Sequence, residues 1–223
     1  MAKASDTDAV IFDIDGTVYD SSEGIIHALR DALEELGEPP VNDETVRSLI
    51  GPPIGASIAK LRGYPKEKEE LLTRTFRSIL GAKYLGEASV YPGIADLLKK
   101  LKSEGYLLGV ATNKRGDFTE RMLADSGLLA YFDDVEGMDP EGTLNKTQIV
   151  GKCIEKLGSE RGRTVMIGDA SSDYNSAKAN GIGFIAVLYG FGYHSPGDVP
   201  AGHRCARTPS EIPDLLRITL CRS

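Results

Sequence analysis

Two carboxylates two residues apart, Asp13 and Asp15, stand in the run Asp13-Ile14-Asp15-Gly16-Thr17. A close acid pair can divide the work of nucleophile and proton donor, or hold a divalent cation. The same composition also makes ordinary turns. Thr112-Asn113-Lys114 offers a hydroxyl and an amide that can donate hydrogen bonds to an anion, although Thr and Asn cap helices equally well. Gly168-Asp169-Ala170-Ser171-Ser172-Asp173 carries two more acids, four apart. Both can face one cation, one directly and one through water, as Mg²⁺ favours. A helix start with Asp in its first turn reads the same way. Lys146 stands alone, and an isolated lysine is ordinarily solvated surface.

These groups need elements to position them. Ala9-Val10-Ile11-Phe12 is a short apolar run that stops at Asp13 and reads as a buried strand of a parallel sheet. Comparable runs are Tyr106 to Ala111, Thr164 to Ile167 and Phe184 to Leu188, with a weaker one at Phe132 to Val135. Between them lie helical patterns. Ile94, Leu97, Leu98 and Leu101 share a face that ends at Gly105, and Ile149, Val150, Cys153, Ile154 and Leu157 share one that ends at Gly158. This alternation predicts an α/β fold with a parallel sheet and right-handed crossovers. Each acid run then sits at the carboxyl edge of a strand, where open α/β sheets bind ligands.

The span from Asp20 to Ala88 is too long for one crossover and is nearly all helical in pattern. One stripe is Ile25, Ile26, Leu29, Leu33 and Leu36, closed by Gly37 and Pro39-Pro40. A second is Val46, Leu49 and Ile50 behind an Asn42 cap, and a third is Leu71, Leu72, Thr75, Phe76, Ile79 and Leu80 behind Pro65. It reads as a helical domain, 20–88, inserted after strand one of a core formed by 1–19 and 89–223.

Composition excludes several classes. The 223 residues are 41% hydrophobic and 26% charged, as in an ordinary globular protein. The net charge of −7 disfavours nucleic-acid binding, which relies on clustered Lys and Arg. The apolar stretch Ile182 to Tyr193 is broken by glycines and falls short of the ~18 residues a membrane span needs, so no membrane partner is expected. Met1 to Asp8 shows no secretory pattern, and Cys153, Cys205 and Cys221 show no metal-ligand spacing. Reduced thiols in a cytoplasmic protein are the expectation. No motif specifies an oligomeric state.

Taken together the runs say more than each does alone. An acid pair after strand one, Thr-Asn after strand two, a later Lys and a G-D-x-x-x-D run occur in one chain order. In this the sequence resembles the haloacid dehalogenase-superfamily phosphatases of the phosphoglycolate phosphatase-like branch. Asp13 to Thr17 matches the first motif, Thr112-Asn113 the second, Lys146 the third, and Gly168-Asp169 with Asp173 the fourth. Ile50-Gly51-Pro52-Pro53, Val90-Tyr91-Pro92-Gly93 and Leu188-Tyr189-Gly190-Phe191-Gly192 are similar to flanking stretches of that branch. Two positions depart from it: Ala170 where Ser or Thr is common, and Thr147 where Pro is common.

The resemblance implies a Rossmann-like parallel-sheet core flanked by helices, with an all-helical cap. It implies Mg²⁺ and a small phosphorylated metabolite of the phosphoglycolate type. Asp13 would be the nucleophile and Asp15 the general acid and base. Asp13, Asp169 and the Asp15 carbonyl would ligate the metal, with Asp173 acting through a water. Thr112, Asn113 and Lys146 would grip the phosphoryl oxygens. Specificity would lie in the insertion, on the Gly51 to Gly55 loop, with Arg47, Lys60 and Arg62 as candidate anion contacts against the plainer expectation of solvated charge. His27, His194 and His203 carry no assigned chemistry. A sugar-phosphate mutase, a pyrophosphatase and a 5'-nucleotidase fit the same motifs. A non-catalytic receiver-like module fits them less well, lacking the second acid of the first motif and the large insertion.

Overall fold

A computed structural model describes residues 7–217; the thiol of Cys221 and most of the Met1 to Asp8 stretch lie outside the described residues. The chain opens with β1 (Ala9–Phe12) and a short strand β2 (Tyr19–Asp20). Four helices follow: α1 (Ser22–Glu35), α2 (Asp43–Ser48), α3 (Ile54–Arg62) and α4 (Lys66–Ile79). A wider helical turn over Leu80–Tyr84 leads to β3 (Ser89–Val90), which pairs antiparallel with β2. The helical insertion therefore leaves and re-enters the core through one two-stranded ribbon.

The remainder alternates. α5 (Ile94–Ser103), β4 (Leu107–Arg115), α6 (Gly116–Asp125) and β5 (Asp134–Met138) come first. Then come α7 (Lys146–Leu157), β6 (Thr164–Gly168), α8 (Ser171–Asn180), β7 (Gly183–Val187), β8 (Arg204–Ala206) and α9 (Ile212–Arg217). Six parallel strands form one sheet in the order β5-β4-β1-β6-β7-β8. From β1 the chain builds outward through β4 and β5, then returns to the other side of β1 for β6. Beside β1 the direction of winding reverses, which opens a crevice at the carboxyl ends of the strands.

Both faces of the sheet are covered, as parallel sheets require. Alternate residues of β1 divide between them. Val10 and Phe12 pack with α5 (Ile94, Leu98, Leu101), α6 (Leu123) and α9 (Ile212). Ala9 and Ile11 pack with α7 (Ile149, Val150, Cys153) and with Ala177 of α8. The same core cluster runs from Phe12 and Ile14 into the insertion through Ile25, Leu29, Ile58 and Leu72.

Several boundaries differ from those the pattern predicts. β4 continues through Thr112-Asn113-Lys114 to Arg115, with a shift in its pairing to β5 between Ala111 and Arg115, so these residues are strand rather than cap. The weak Phe132 to Val135 run becomes strand only from Asp134, because a helical turn at Leu129–Tyr131 occupies the chain before it. The predicted Gly51 to Gly55 loop is cut short by α3, which starts at Ile54. In α4, Leu72, Phe76 and Ile79 are buried, whereas Leu71 is 42% exposed. Adjacent leucines on one helix should therefore behave oppositely. Leu72→Ala should cost about 2–5 kcal/mol, and Leu71→Ala no more than about 0.5 kcal/mol. Thermal unfolding of the two variants checks this, and equal losses would contradict the packing of α4.

Candidate active site

The carboxyl end of β1 lies between those of β4 and β6. Phe12 pairs with Ile167 of β6, and the Asp13 N–H continues that ladder to the Ile167 carbonyl at 3.0 Å. One residue past each strand, Asp13 and Asp169 therefore emerge side by side. Gly16 then turns the chain with φ +83°, and a Cβ there would collide with the Asp169 carboxylate. Glycine serves both needs at once, the left-handed backbone and the close approach.

Asp169 is fully buried and held from the loop after β7. Its Oδ2 accepts from the N–H groups of Phe191 and Gly192 at 2.7 and 3.1 Å, and its carbonyl accepts from Tyr193 N–H at 2.8 Å. Gly190 lies flat against Asp169 and the Gly16 carbonyl, with no room for a side chain. Asp173 sits in the first turn of α8, and its Oδ2 accepts from Ala170 N–H at 3.0 Å. Ala170 has no side chain that can cap α8, and Asp173 reaches back in its place, so this departure leaves the turn intact.

Lys146 is the first residue of α7 and only 6% exposed, contrary to an isolated surface lysine. Asn145 and Gln148 close a reciprocal cap at 2.9 and 3.0 Å that fixes where the helix begins. The Thr147 carbonyl is held by Asn180 Nδ2 at 3.0 Å. With its stem so anchored, Lys146 Nζ lies 2.5 Å from Asp13 Oδ1 and 3.0 Å from Asp173 Oδ1.

Asp13, Asp169 and Asp173 each present an oxygen within 4.8 Å of the others. Burial raises Asp13 to about 6, with Lys146 opposing and Asp173 adding to the rise. Burial, then Asp173 and Asp13, drives Asp169 well above its ordinary range. Burial disfavours the charge on Lys146, but Asp13 and Asp173 outweigh it and hold the ammonium above its usual value. Three carboxylates against one ammonium leave a charge of −2 when ionised. Asp169 Oδ1 is buried without a hydrogen-bond partner. A dication with oxygen ligands fits both observations.

A second group lies beside the first. Asp15 accepts from Lys114 Nζ at 2.8 and 3.1 Å and from Ser21 Oγ at 2.6 Å. The sequence marks Lys114 only as part of its run and gives Ser21 no role; Lys114 lies on the strand next to β1 but 99 residues from Asp15 along the chain, so the pair carries no spacing signal. Thr112 is buried, with its Oγ1 accepting from Lys114 N–H at 3.2 Å. Asn113 donates to the Gly51 carbonyl at 3.0 Å, joining β4 to the insertion.

Between core and insertion is a cleft lined by Asp15, Asn113 and Lys114 on one side and by Gly51, Ile54 and Arg77 on the other. Arg47, Lys60 and Arg62 are not among its lining residues. Arg47 binds Ser22 and Glu23, and Arg62 binds the Pro39 and Pro40 carbonyls at 2.5 and 3.1 Å. Arg77, which sequence reasoning passed over, faces the cleft instead.

Crowding of like charge makes the site a stability cost without a cation. Asp13 ionises near 3.8 when unfolded and near 6 when folded. Its contribution to stability is thus full below the lower value and is lost as pH rises through the higher one. In EDTA at about pH 7.5, Asp169→Asn should raise Tm by roughly 2–4 °C per kcal/mol relieved, with a smaller gain at about pH 5. A Tm that stays level or falls at the higher pH would contradict this charge crowding.

Residues 10–187 match the family model described as haloacid dehalogenase-like hydrolase. Tyrosine-protein kinase PtkA of Mycobacterium tuberculosis is 32% identical over 184 residues, 82% of this chain and 62% of that protein, so the chain spans less than two thirds of that relative. A phosphoglycolate phosphatase of Rhodospirillum rubrum is 31% identical over 82% of this chain and 80% of its own length. The crystal structure of a predicted phosphatase from Clostridium acetobutylicum superposes with a TM-score of 0.89 at 29% identity, covering 94% of this chain and 98% of that one. The chain belongs to the haloacid dehalogenase-like hydrolases, on their phosphoglycolate phosphatase-like branch.

Proposed function

We propose that this protein is a Mg²⁺-dependent phosphomonoesterase acting on a small phosphorylated metabolite through an aspartyl-phosphate. The observation that carries the reading is the buried trio Asp13, Asp169 and Asp173, with Lys146 Nζ 2.5 Å from Asp13. In this reading residues 1–19 and 89–223 are the catalytic core, and 20–88 is a cap hinged on the β2–β3 ribbon. With Cys153 and Cys205 free, a reducing cytoplasm suits it. The described residues contain no helix long and apolar enough to cross a membrane.

Electrostatics set the requirement. A carboxylate approaching a phosphate dianion meets roughly 4 kcal/mol of repulsion per charge pair at ~4 Å and an effective dielectric of ~20. Every ~1.4 kcal/mol left uncompensated is tenfold in rate. Asp13, Asp169 and the Asp15 carbonyl would hold Mg²⁺, with Asp173 holding it through a water, and the ion would supply two positive charges at the phosphoryl oxygens. Lys146 adds a third. Thr112 and Asn113 would complete the oxygen contacts, Asn113 on releasing Gly51.

Asp13 then attacks phosphorus, and the bond from phosphorus to the ester oxygen breaks. Asp15 gives that oxygen its proton, so an alcohol leaves. In the second half Asp15 takes a proton from water, the resulting hydroxide attacks phosphorus, and the bond to Asp13 breaks to release inorganic phosphate. Lys114 and Ser21 hold the Asp15 side chain in the lining of the cleft between core and insertion. A mutase would deliver the phosphoryl group to a second sugar and release no net phosphate; similarity to the phosphoglycolate phosphatase of Rhodospirillum rubrum supports hydrolysis.

Asp13→Asn should reduce p-nitrophenyl phosphate hydrolysis by at least about 10³-fold with an unchanged circular dichroism spectrum, in line with losing a covalent nucleophile. Turnover close to wild type would remove Asp13 from that role. Chelation by EDTA should stop turnover and added Mg²⁺ should restore it. Full activity in metal-free buffer would exclude the metal role of Asp169. Phosphate release measured on phosphoglycolate and on sugar phosphates separates hydrolase from mutase.

A further inference from the structure

The cleft holds four charged side chains, and three of them are already matched. Lys114 is paired with Asp15 at 2.8 Å. Arg115 forks onto Asp117 at 2.9 and 2.7 Å and stacks 4.5 Å from the centre of Phe118. Arg77, on α4 of the insertion, lines the same cleft, half-buried, and makes no hydrogen bond or ion pair among the described residues. Asp117 and Asp139 act on it only at longer range, and burial and the neighbouring Arg115 hold its guanidinium below the ordinary value. A guanidinium has five donors in a planar fork that suits a carboxylate or a phosphate. Holding one partly out of water without an acceptor is unfavourable, so an anionic ligand there would meet an unsatisfied demand.

The walls between Asp15 and Arg77 are of another kind. Ile25, Ile54, Phe76 and Leu80 from the insertion and Phe118 from the core make them apolar. The cleft is small, about 70 Å³ in volume, below most small-molecule sites, so a ligand of more than a few atoms would enter as the insertion moves off the core. It begins at the proposed proton donor for the leaving oxygen, so what it receives is the alcohol side of the ester.

We propose that Arg77 is a specificity-determining residue that binds a second anion on the leaving alcohol, across an apolar body lying on Phe76 and Phe118. The substrate class is then an organic monophosphate whose alcohol carries an apolar segment ending in a carboxylate or a second phosphate. This rests on the phosphatase reading and narrows it. None of Arg47, Lys60 and Arg62 has this placement.

The test compares three esters: phenyl phosphate, 4-carboxyphenyl phosphate and 4-(phosphonomethyl)phenyl phosphate. Each is assayed by phosphate release with wild type, Arg77→Met and Arg77→Lys. Comparing variants on one ester cancels the differing reactivity of the leaving groups. Arg77→Met should raise KM for at least one anionic ester by about tenfold or more beyond any change for phenyl phosphate, with kcat less affected. Arg77→Lys should recover part of that loss. The ester that suffers more identifies the anion as carboxylate or phosphate. Equal effects on all three esters, or a loss confined to kcat, overturn the role of Arg77. Wild type that hydrolyses none of them overturns the phosphatase reading and this proposal together. Equal melting temperatures of the variants confirm that folding is not the cause.

Discussion

Everything in this molecule's crevice follows from negative charge gathered where water is excluded. Three carboxylates from two strand ends and a helix start meet one ammonium, and their sum is −2 when ionised. Such an imbalance is tolerated in a folded chain only where a counter-charge arrives from outside or the acids hold their protons. Both responses are legible here. Asp13 and Asp169 are pushed up, and Asp169 Oδ1 is buried without a partner. The site is poised for a cation, and a chain built only for stability would not keep it.

Holding the acids in place takes more of the fold than the acids themselves. Gly16 turns beneath Asp169, Gly190 presses on both, and two backbone N–H groups fix one carboxylate oxygen so that the other is left open. The capped start of α7 does the same for Lys146. Rigid backbone sets these positions before any ligand binds, and preorganised charge of this kind is what phosphoryl transfer depends on.

The cleft is built on a different principle. Its acid and most of its cations cancel in pairs, Asp15 with Lys114 and Asp117 with Arg115, so its walls are free to discriminate by shape and apolar surface. Because the insertion shares a core cluster with Phe12 and Ile14 and meets the core again at Asn113 and Gly51, movement of α1–α4 on the β2–β3 ribbon would alter Asp15 and the cleft together. Ser21, which holds Asp15, stands where that ribbon passes into α1.

Much of this was legible in the sequence. Short apolar runs ending in Asp13 and Asp169 mark buried strands whose next residue lies at the sheet edge, and the apolar periods of α1, α5 and α7 fall on the faces that are buried. Local pattern reaches that far because strand and helix periods are properties of neighbouring residues. It could not say that Lys146 is buried, that Lys114 and Ser21 close on Asp15, that Arg77 rather than Arg47 or Arg62 faces the cleft, or that Leu71 is exposed beside a buried Leu72. Each of those depends on which surface comes to lie opposite, between residues as far apart as Asp13 and Lys146. The type of each charge was written in the chain, but its partner was chosen only when folding removed water from between them.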